Sequence, residues 1–210
     1  MLRHPRFAWR ARRDDSFRQY FDDYRSSNRL ALLNQLHGQR VSRMFEFGCY
    51  SAPNLRLFGE ALSPPVELYG VDINRRAIEF AKEHLPNAKL AVATDRSIRF
   101  LDRWVPEVDL SLAYAVFYVI ETRHVERLLS LLKERSRLIV IGCNDDNYHG
   151  SEPKRSDGER GLTWLHPWQR LFDRLSLEVM SSAPVPAADR SCRQTFLLKT
   201  NARLSGLAAE

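Results

Sequence analysis

Cysteine is scarce in this sequence, and its spacing argues against two kinds of site. The 210 residues contain three cysteines, Cys49, Cys143 and Cys192. They lie far apart and form no Cys-x-x-Cys pair, which argues against both a disulfide framework and a cysteine-rich zinc site. We therefore expect reduced thiols, no bound metal and a cytoplasmic protein.

Long apolar runs are also missing. No stretch approaches the roughly 20 residues that a membrane-spanning helix needs, and the basic N-terminus is not followed by the apolar segment of a signal peptide. The apolar fraction of 44% and the charged fraction of 28% are ordinary for a globular protein. A chain of 210 residues is long enough for one domain with a sizeable core.

Acidic residues are absent from residues 1–13, which hold five arginines. The rest of the chain has 27 of the 32 basic residues and all 26 acidic ones, a balance of +1. The formal charge of +6 therefore lies mostly in this basic arm, and the near-neutral body argues against a large nucleic-acid footprint. The arm could contact phosphate, lipid or an acidic partner, whereas the simpler interpretation is a solvated N-terminus.

Strand and helix patterns alternate along most of the chain. Strands are predicted at Val41–Phe47, Glu67–Asp72, Lys89–Ala93, Asp109–Phe117, Arg137–Ile141, Leu177–Ser182 and Gln194–Lys199. Helices are predicted at Arg29–Leu36, from Pro53 onward, and at Arg75–His84, Glu121–Arg135 and His166–Leu175. An earlier helix carries an aromatic stripe of Phe17, Tyr20, Phe21 and Tyr24. Residues 143–163 are predicted to form a long polar loop.

The last two predicted strands have no helix between them, so they are most simply antiparallel. This order predicts a Rossmann-like α/β fold: a mainly parallel, seven-stranded sheet with a C-terminal antiparallel hairpin and helices on both faces.

Glycine is sparse where a ligand-binding turn is expected. Open α/β sheets bind ligands at the carboxyl ends of their strands, and Gly48 follows the first strand directly. A carboxylate, Asp72, ends the second strand and could accept hydrogen bonds from both hydroxyls of a ribose. Asp95 follows the third strand and could accept a hydrogen bond from an adenine amino group.

Four segments, FEFGCYSAPN, LYGVDIN, ATDRS and VDLSLAYAVF, together resemble the successive motifs of class I S-adenosylmethionine-dependent methyltransferases. The resemblance spans roughly residues 41–200. It implies an N-terminal basic arm and helical lid over residues 1–40, a methyltransferase-like domain over 41–200 and a tail over 201–210. It also implies S-adenosyl-L-methionine as cofactor.

The resemblance assigns a role to each motif residue in turn. Glu46 is the acid that opens the glycine motif, and Gly48, Cys49 and Tyr50 would line the methionine part of the cofactor. The ribose would be held by Asp72 and the adenine would be contacted by Ile73, Asp95 and Arg96. The sulfonium end would face Ala113 and Tyr114.

The turn departs from the family pattern, acid-x-Gly-x-Gly-x-Gly, at two positions. Tyr50 and Ala52 stand where the second and third glycines are common. A left-handed backbone at either residue costs about 1–2 kcal/mol, which a folded domain can bear. We therefore expect an altered but usable site, with Tyr50 capping the cofactor.

Methyl transfer from a sulfonium is an in-line displacement, so positioning is the main task and a base is needed only when the acceptor must lose a proton. His149 in the polar loop is the first candidate for such a base, with Asp145, Asp146 and His166 nearby in sequence. A solvated loop residue is the competing interpretation of His149.

The acceptor is expected to be a small molecule or glycan, read by residues 1–40 and 143–170. Three alternatives stay open. A nucleic-acid methyltransferase would use the basic arm for phosphates. A nicotinamide-dependent oxidoreductase would need Gly-x-Gly-x-x-Gly, and this turn lacks two of those glycines. A non-catalytic binding protein could have kept the fold.

Overall fold

A computed structural model describes residues 16–143, 152–156, 163–184 and 194–202 of the chain. The helices are α1 (Ser16–Asp22), α2 (Ser27–Gln35), α3 (Pro53–Ala61), α4 (Arg75–His84), α5 (Ile98–Trp104), α6 (Thr122–Arg135) and α7 (Trp168–Leu175). The strands are β1 (Arg43–Phe47), β2 (Glu67–Asp72), β3 (Lys89–Val92), β4 (Val108–Tyr114), β5 (Ser136–Cys143), β6 (Lys154–Ser156), β7 (Thr163–Leu165), β8 (Glu178–Pro184) and β9 (Gln194–Lys199).

Seven strands form one sheet in the order β3-β2-β1-β4-β5-β9-β8. Strands β1 to β5 are all parallel to one another, and β9 runs antiparallel to both β5 and β8. The chain builds the sheet in one direction from β1 to β3 and then returns to place β4 on the other side of β1. The point between β1 and β4 is therefore the switch point, where ligands bind in open α/β sheets. This arrangement confirms the predicted fold class.

The core has two halves, one on each face of the sheet. One half packs α5, α6 and α7 against the sheet, with Leu128, Leu132 and Phe172 fully buried. The other packs α2, α3 and α4, and it includes Leu32 and Leu36 at the end of α2. Because these leucines are buried in the common core, α2 is part of that core.

The end of the fourth strand was predicted wrongly. The sequence pattern extends it to Phe117, but β4 ends at Tyr114 and Phe117–Val119 is a 3₁₀ turn. Ala115 has a left-handed backbone with φ of +51°. The chain therefore turns away from the sheet at this residue although its side chains stay apolar.

Other differences lie between the main strands. The polar loop of residues 143–163 contains β6, which pairs in antiparallel fashion with β7 in a separate two-stranded sheet. Helix α5 was not predicted, because Leu101 is its one fully buried residue and its apolar pattern is short. Helix α7 begins at Trp168, two residues later than predicted, because His166 lies in the segment that leads into it.

The aromatic stripe is only partly a helical face. Phe17 and Phe21 are buried on α1, Tyr20 is 39% exposed, and Tyr24 lies beyond the end of the helix. Among the described residues, no helix combines the length and the apolar character needed to cross a membrane.

Candidate functional site

The turn after β1 depends on Gly48. Its φ is +81°, and a Cβ atom there would lie 2.5 Å from Cγ2 of Val116. The backbone N–H groups of Gly48 and Cys49 both donate to the carbonyl oxygen of Val71, at 2.8 and 3.0 Å. The turn is thus tied to β2 and closed against the segment after β4, so packing alone requires glycine here, before any ligand is considered.

Both residues that replace the usual glycines have left-handed backbones. The φ angles are +50° for Tyr50 and +63° for Ala52. The turn therefore has left-handed backbones at both positions where the family pattern has glycine, at a cost of about 1–2 kcal/mol each. Ala52 immediately precedes α3, which opens with Pro53 and has no side-chain cap.

Asp72 lies at the end of β2 beside this turn. Its Oδ2 accepts a hydrogen bond from the Tyr50 backbone N–H at 3.0 Å, and its Oδ1 accepts one from the Asn74 N–H at 2.7 Å. A carboxylate has about four acceptor positions, so these bonds orient the group and leave it able to accept more. Burial raises the pKa of Asp72 to about 6, against the lowering effect of the backbone N–H groups.

Glu46 is buried beneath the same turn, with 1% of its surface exposed. Its Oε1 accepts a hydrogen bond of 2.6 Å from Nδ2 of Asn54 on α3. Its Oε2 has no partner within the described residues. Burial raises the pKa of Glu46 to about 8, while the Asn54 amide and the positive charge of Arg29 act in the opposite direction.

Asp95 is already engaged by a residue that the sequence did not point to. Its Oδ2 accepts a hydrogen bond of 2.6 Å from Nδ1 of His124 on α6. Since a carboxylate only accepts, Nδ1 of this histidine carries the proton. Arg96 is exposed, and its backbone N–H donates to Oγ1 of Thr94.

The remaining predicted residues line the same edge of the sheet. Cys49 is buried in the turn, and burial raises the pKa of its thiol. Ile73 is half-buried next to Asp72. Ala113 and Tyr114 are the last, buried residues of β4. Because β3, β2, β1 and β4 are adjacent and parallel, the predicted residues from all four strands are brought together at one edge.

Tyr50 is covered by α1. Its hydroxyl lies 2.9 Å from Oγ of Ser16, and its ring meets the edge of the Tyr20 ring at 5.6 Å between centroids. Phe17 and Ala77 complete a small buried cluster around the tyrosine. The first described helix therefore contacts the turn through the Tyr50 side chain.

Two histidines were named in the sequence as candidates near the proposed base: His166 is structural, and His149 lies outside the described residues. His166 is buried, its Nε2–H donates to the Phe117 carbonyl at 2.9 Å, and its Nδ1 accepts from the Thr122 hydroxyl at 2.8 Å. Both ring nitrogens therefore make structural hydrogen bonds. They link the segment before α7 to α6 and to the turn after β4. His149, Asp145 and Asp146 lie outside the described residues.

Sequence patterns did not single out Arg29, Ser51, Asn54 and His124, which accompany the predicted residues in the fold. Arg29 and Asn28 are polar residues on the buried side of α2, and Arg29 lies three residues before buried Leu32. A charged residue in phase with the apolar face of a helix was the available signal. Within the described ranges, no group of three or more His, Cys, Asp or Glu residues could hold a metal ion.

No protein-family model matches the chain, and no curated protein sequence matches it. Solved structures do. Magnesium protoporphyrin IX methyltransferase from Synechocystis PCC 6803, with bound SAH, is 10% identical and has a TM-score of 0.67, with 93% of this chain and 98% of that chain covered. The O-methyltransferase of a trans-AT PKS multienzyme of Brevibacillus brevis, in complex with S-adenosyl-L-homocysteine, is 12% identical, with a TM-score of 0.64 and 93% and 79% covered.

A third similar structure is fibrillarin from Aeropyrum pernix with natively bound S-adenosyl-L-methionine. It is 16% identical and has a TM-score of 0.61, with 85% of this chain and 76% of that chain covered. At these identities the likeness concerns the fold. The chain has the fold of class I S-adenosylmethionine-dependent methyltransferases, as the resemblance of its motifs predicts.

Proposed function

We propose that this chain is an S-adenosyl-L-methionine-dependent methyltransferase that acts on a small-molecule or glycan acceptor. The observation that carries the proposal is the set of carboxylates and turn atoms at the switch point of the sheet. Glu46 and Asp72 flank a turn that keeps a left-handed backbone at Gly48, Tyr50 and Ala52. Two strained non-glycine residues persist in a fold mainly where the turn geometry itself is needed.

The described residues fit this cofactor in three respects. Asp72 is held by backbone N–H groups and has acceptor capacity left for ribose hydroxyls. Glu46 presents a buried carboxylate oxygen that has no partner among the described residues. The N-terminus of α3 directs the partial positive charge of its dipole toward the same turn, where a carboxylate is stabilised.

When bound, the cofactor would supply an activated methyl group on a sulfonium. The residues of this chain would orient it and exclude water, because displacement at the methyl carbon depends mainly on alignment. Cys49 and Tyr50 would line the methionine part, Ile73 would contact the adenine, and Ala113 and Tyr114 would border the sulfur. Asp95, held by His124, and Arg96 would lie at the adenine edge.

The acceptor is the less constrained part of the proposal. The near-neutral body of the chain favours a small molecule or glycan over a nucleic acid. His149 is retained as the proposed base for acceptors that must lose a proton. A cytoplasmic location belongs to the same proposal and rests on the few, widely spaced cysteines.

Calorimetric titration of the full chain tests the cofactor assignment. We expect S-adenosylhomocysteine to bind and NAD not to bind. Binding of NAD alone would favour an oxidoreductase, and binding of neither would favour a non-catalytic protein. Deleting residues 1–13 then tests the acceptor class. Methylation of a small molecule should survive the deletion, whereas a salt-dependent affinity for RNA or DNA that is lost with the arm would favour a nucleic-acid acceptor.

A further inference from the structure

The charges of the near-neutral body are unevenly distributed at the carboxyl edge of the sheet. Three segments run along this edge, each from a strand end through the first turn of the next helix: residues 72–78, 93–101 and 115–125. Together they hold five arginines, all of them exposed, and three acidic residues, which are buried or half-buried. The five arginines, here called the arginine rim, are Arg75, Arg76, Arg96, Arg99 and Arg123.

The opposite edge of the same helices has no such bias. Residues 81–89, 101–108 and 132–137 run from the last turns of α4, α5 and α6 into the next strands. Exposed lysines and arginines number three in these segments, and exposed acidic residues also number three. They are Lys82, Lys89 and Arg103, and Glu83, Asp102 and Glu134. Positive charge is therefore concentrated on the edge where the proposed cofactor site lies.

The stability of the fold does not explain the arginine rim. Helices α4, α5 and α6 each have an arginine in the first turn and no acidic residue there. A positive charge at this end opposes the helix dipole, which favours acidic residues in the first turn and basic residues in the last. Arg75 lies 3.9 Å from exposed Glu79, and Arg123 pairs with Glu121 while its own side chain is 69% exposed. Exposed ion pairs of this kind contribute little to stability.

Direct contacts bring the three segments of the rim together. The backbone N–H of Ala93 donates to the Asp72 carbonyl at 3.0 Å, which joins the ends of β2 and β3. Nδ1–H of His124 donates to Oδ2 of Asp95 at 2.6 Å, which joins the start of α6 to the segment after β3. The neighbours of this bonded pair in sequence include two arginines of the rim. The rim therefore borders the two aspartates that the proposed function assigns to the cofactor.

The chemistry of the rim suits a ligand with several anionic groups. Guanidinium groups bind carboxylate and phosphate through paired N–H donors. The rim follows β2, β3 and β4, and the row β3-β2-β1-β4 is about 14 Å wide, too wide for one anionic group to contact all of it.

A nucleic acid fits the rim less well than a smaller anion does. Binding of single strands uses exposed aromatic rings on which the bases stack. Within the three segments of the rim, Phe100 is the one exposed aromatic ring, and it already stacks on Trp104 with 5.9 Å between centroids. A small molecule or glycan that carries phosphate or carboxylate groups needs no such stacking surface.

We propose that the acceptor of this methyltransferase is a small molecule or glycan with at least two phosphate or carboxylate groups, which the arginine rim binds beside the cofactor site. This inference rests on the proposed function. It defines the acceptor class by charge as well as by size.

Titration calorimetry at low ionic strength, with inorganic tripolyphosphate and citrate as probes, tests the rim. The rim variant combines Arg75→Gln, Arg99→Gln and Arg123→Gln. The control combines Lys82→Gln, Arg103→Gln and Lys133→Gln, in the last turns of the same three helices, and removes the same charge. We expect the rim variant to bind the preferred probe at least ~10-fold more weakly than the wild type does. The control should stay within about 2-fold of the wild type, because its charges are distant and screened.

Binding of either probe that is lost in the rim variant supports the inference, and the tighter probe identifies phosphate or carboxylate as the group recognised. Each single rim variant should weaken binding in the same direction, which keeps the test available if the triple variant does not fold. Equal weakening in the rim and control variants would show non-specific attraction and overturn the inference. A wild-type protein that binds neither probe would also overturn it.

The cofactor product provides the second part of the test. An acceptor binds together with the cofactor, so the probe should bind wild-type protein saturated with S-adenosylhomocysteine. Mutual exclusion would place the anion in the cofactor site and overturn the inference, although the proposed function would survive. Tighter binding of an oligothymidylate than of inorganic polyphosphate of the same charge would indicate stacked bases and would overturn it in favour of a nucleic acid. Failure of the wild type to bind S-adenosylhomocysteine would remove the proposed function, and with it the acceptor role of the rim.

Discussion

The backbone N–H of Tyr50 donates a 3.0 Å hydrogen bond to Oδ2 of Asp72. This contact links the turn after β1 to the end of the neighbouring strand. It forms because Tyr50 has the left-handed backbone that glycine would otherwise supply. The residue that departs most from the family pattern therefore orients the carboxylate that the same pattern assigns to the ribose.

Replacing Asp72 by asparagine is expected to weaken S-adenosylhomocysteine binding by about 10- to 100-fold. The reason is the loss of charge-assisted hydrogen bonds, each worth about 1.5–3 kcal/mol. Because S-adenosylhomocysteine and its fragment 5′-methylthioadenosine share the ribose, the affinity for 5′-methylthioadenosine should fall by the same factor. Asp102→Asn, which removes an exposed partner of Arg135, is the control and should bind both ligands normally. Unchanged affinity in Asp72→Asn by calorimetry would contradict the assignment of this carboxylate.

Gly48→Ala is expected to destabilise the protein more than Gly38→Ala. Both glycines have left-handed φ angles, +81° and +78°, so both substitutions cost about 1–2 kcal/mol from the backbone. A Cβ at Gly38 meets no atom within 4 Å, whereas at Gly48 it lies 2.5 Å from Cγ2 of Val116. Overpacking of this kind adds about 1–3 kcal/mol. Urea unfolding of the two variants measures the difference.

The double variant Gly48→Ala with Val116→Ala identifies the clash itself. Removing both Cγ atoms of the valine should make the pair less destabilised than the sum of the single variants. Additive effects would place the cost of Gly48→Ala in the backbone alone.

Substitutions at Tyr50 test the backbone strain, because glycine is expected to be more stable than alanine at this position. Truncation to alanine removes a buried ring and should cost about 3–5 kcal/mol. Tyr50→Gly removes the same ring but relieves the left-handed strain, so we expect it to be about 1 kcal/mol more stable than Tyr50→Ala. Tyr50→Phe keeps the ring and loses the contact with Ser16, and it should cost about 0.5–1.5 kcal/mol. Glycine less stable than alanine at this position would contradict the left-handed geometry.

The ligand-free protein is expected to lose stability as the pH rises from 6.5 to 8. The pKa of Glu46 is raised from an ordinary 4.5 to about 8, so in this range the folded state retains a proton that the unfolded state has released. The free energy of unfolding then falls with pH, by at most about 1.4 kcal/mol per pH unit. Asp72, with a pKa of about 6, adds to the same trend at lower pH.

Glu46→Gln should flatten that slope when chemical unfolding is measured across the pH range, since glutamine mimics the protonated acid and does not titrate. Glu60→Gln is the control: Glu60 is exposed and its pKa is lowered, so it is ionised throughout this range and its removal should leave the slope in place. A wild-type stability that rises between pH 6.5 and 8 would show that Glu46 is ionised in the folded protein.

Much of the architecture could be read from local pattern. The bounds of β2, α4 and β9 were predicted to the residue, because each is a regular run whose apolar period matches its structure. The end of β4 was predicted wrongly, because Val116 and Phe117 are as apolar as the strand before them. The turn of the chain there depends on how these two residues pack against Gly48 and Trp168. The separate pairing of β6 with β7 depends on a short contact that leaves little periodic signal.

By itself, the sequence determined the fold class and the strand ends at which Glu46, Gly48, Asp72 and Asp95 lie, because apolar period and spacing are local properties of the chain. Only the tertiary structure decided what those residues contact. It brought His124 to Asp95 from a helix distant in sequence, and it placed Tyr50 under α1. Such contacts follow from how elements pack around the core, and no local pattern records which polar side chains that packing buries together.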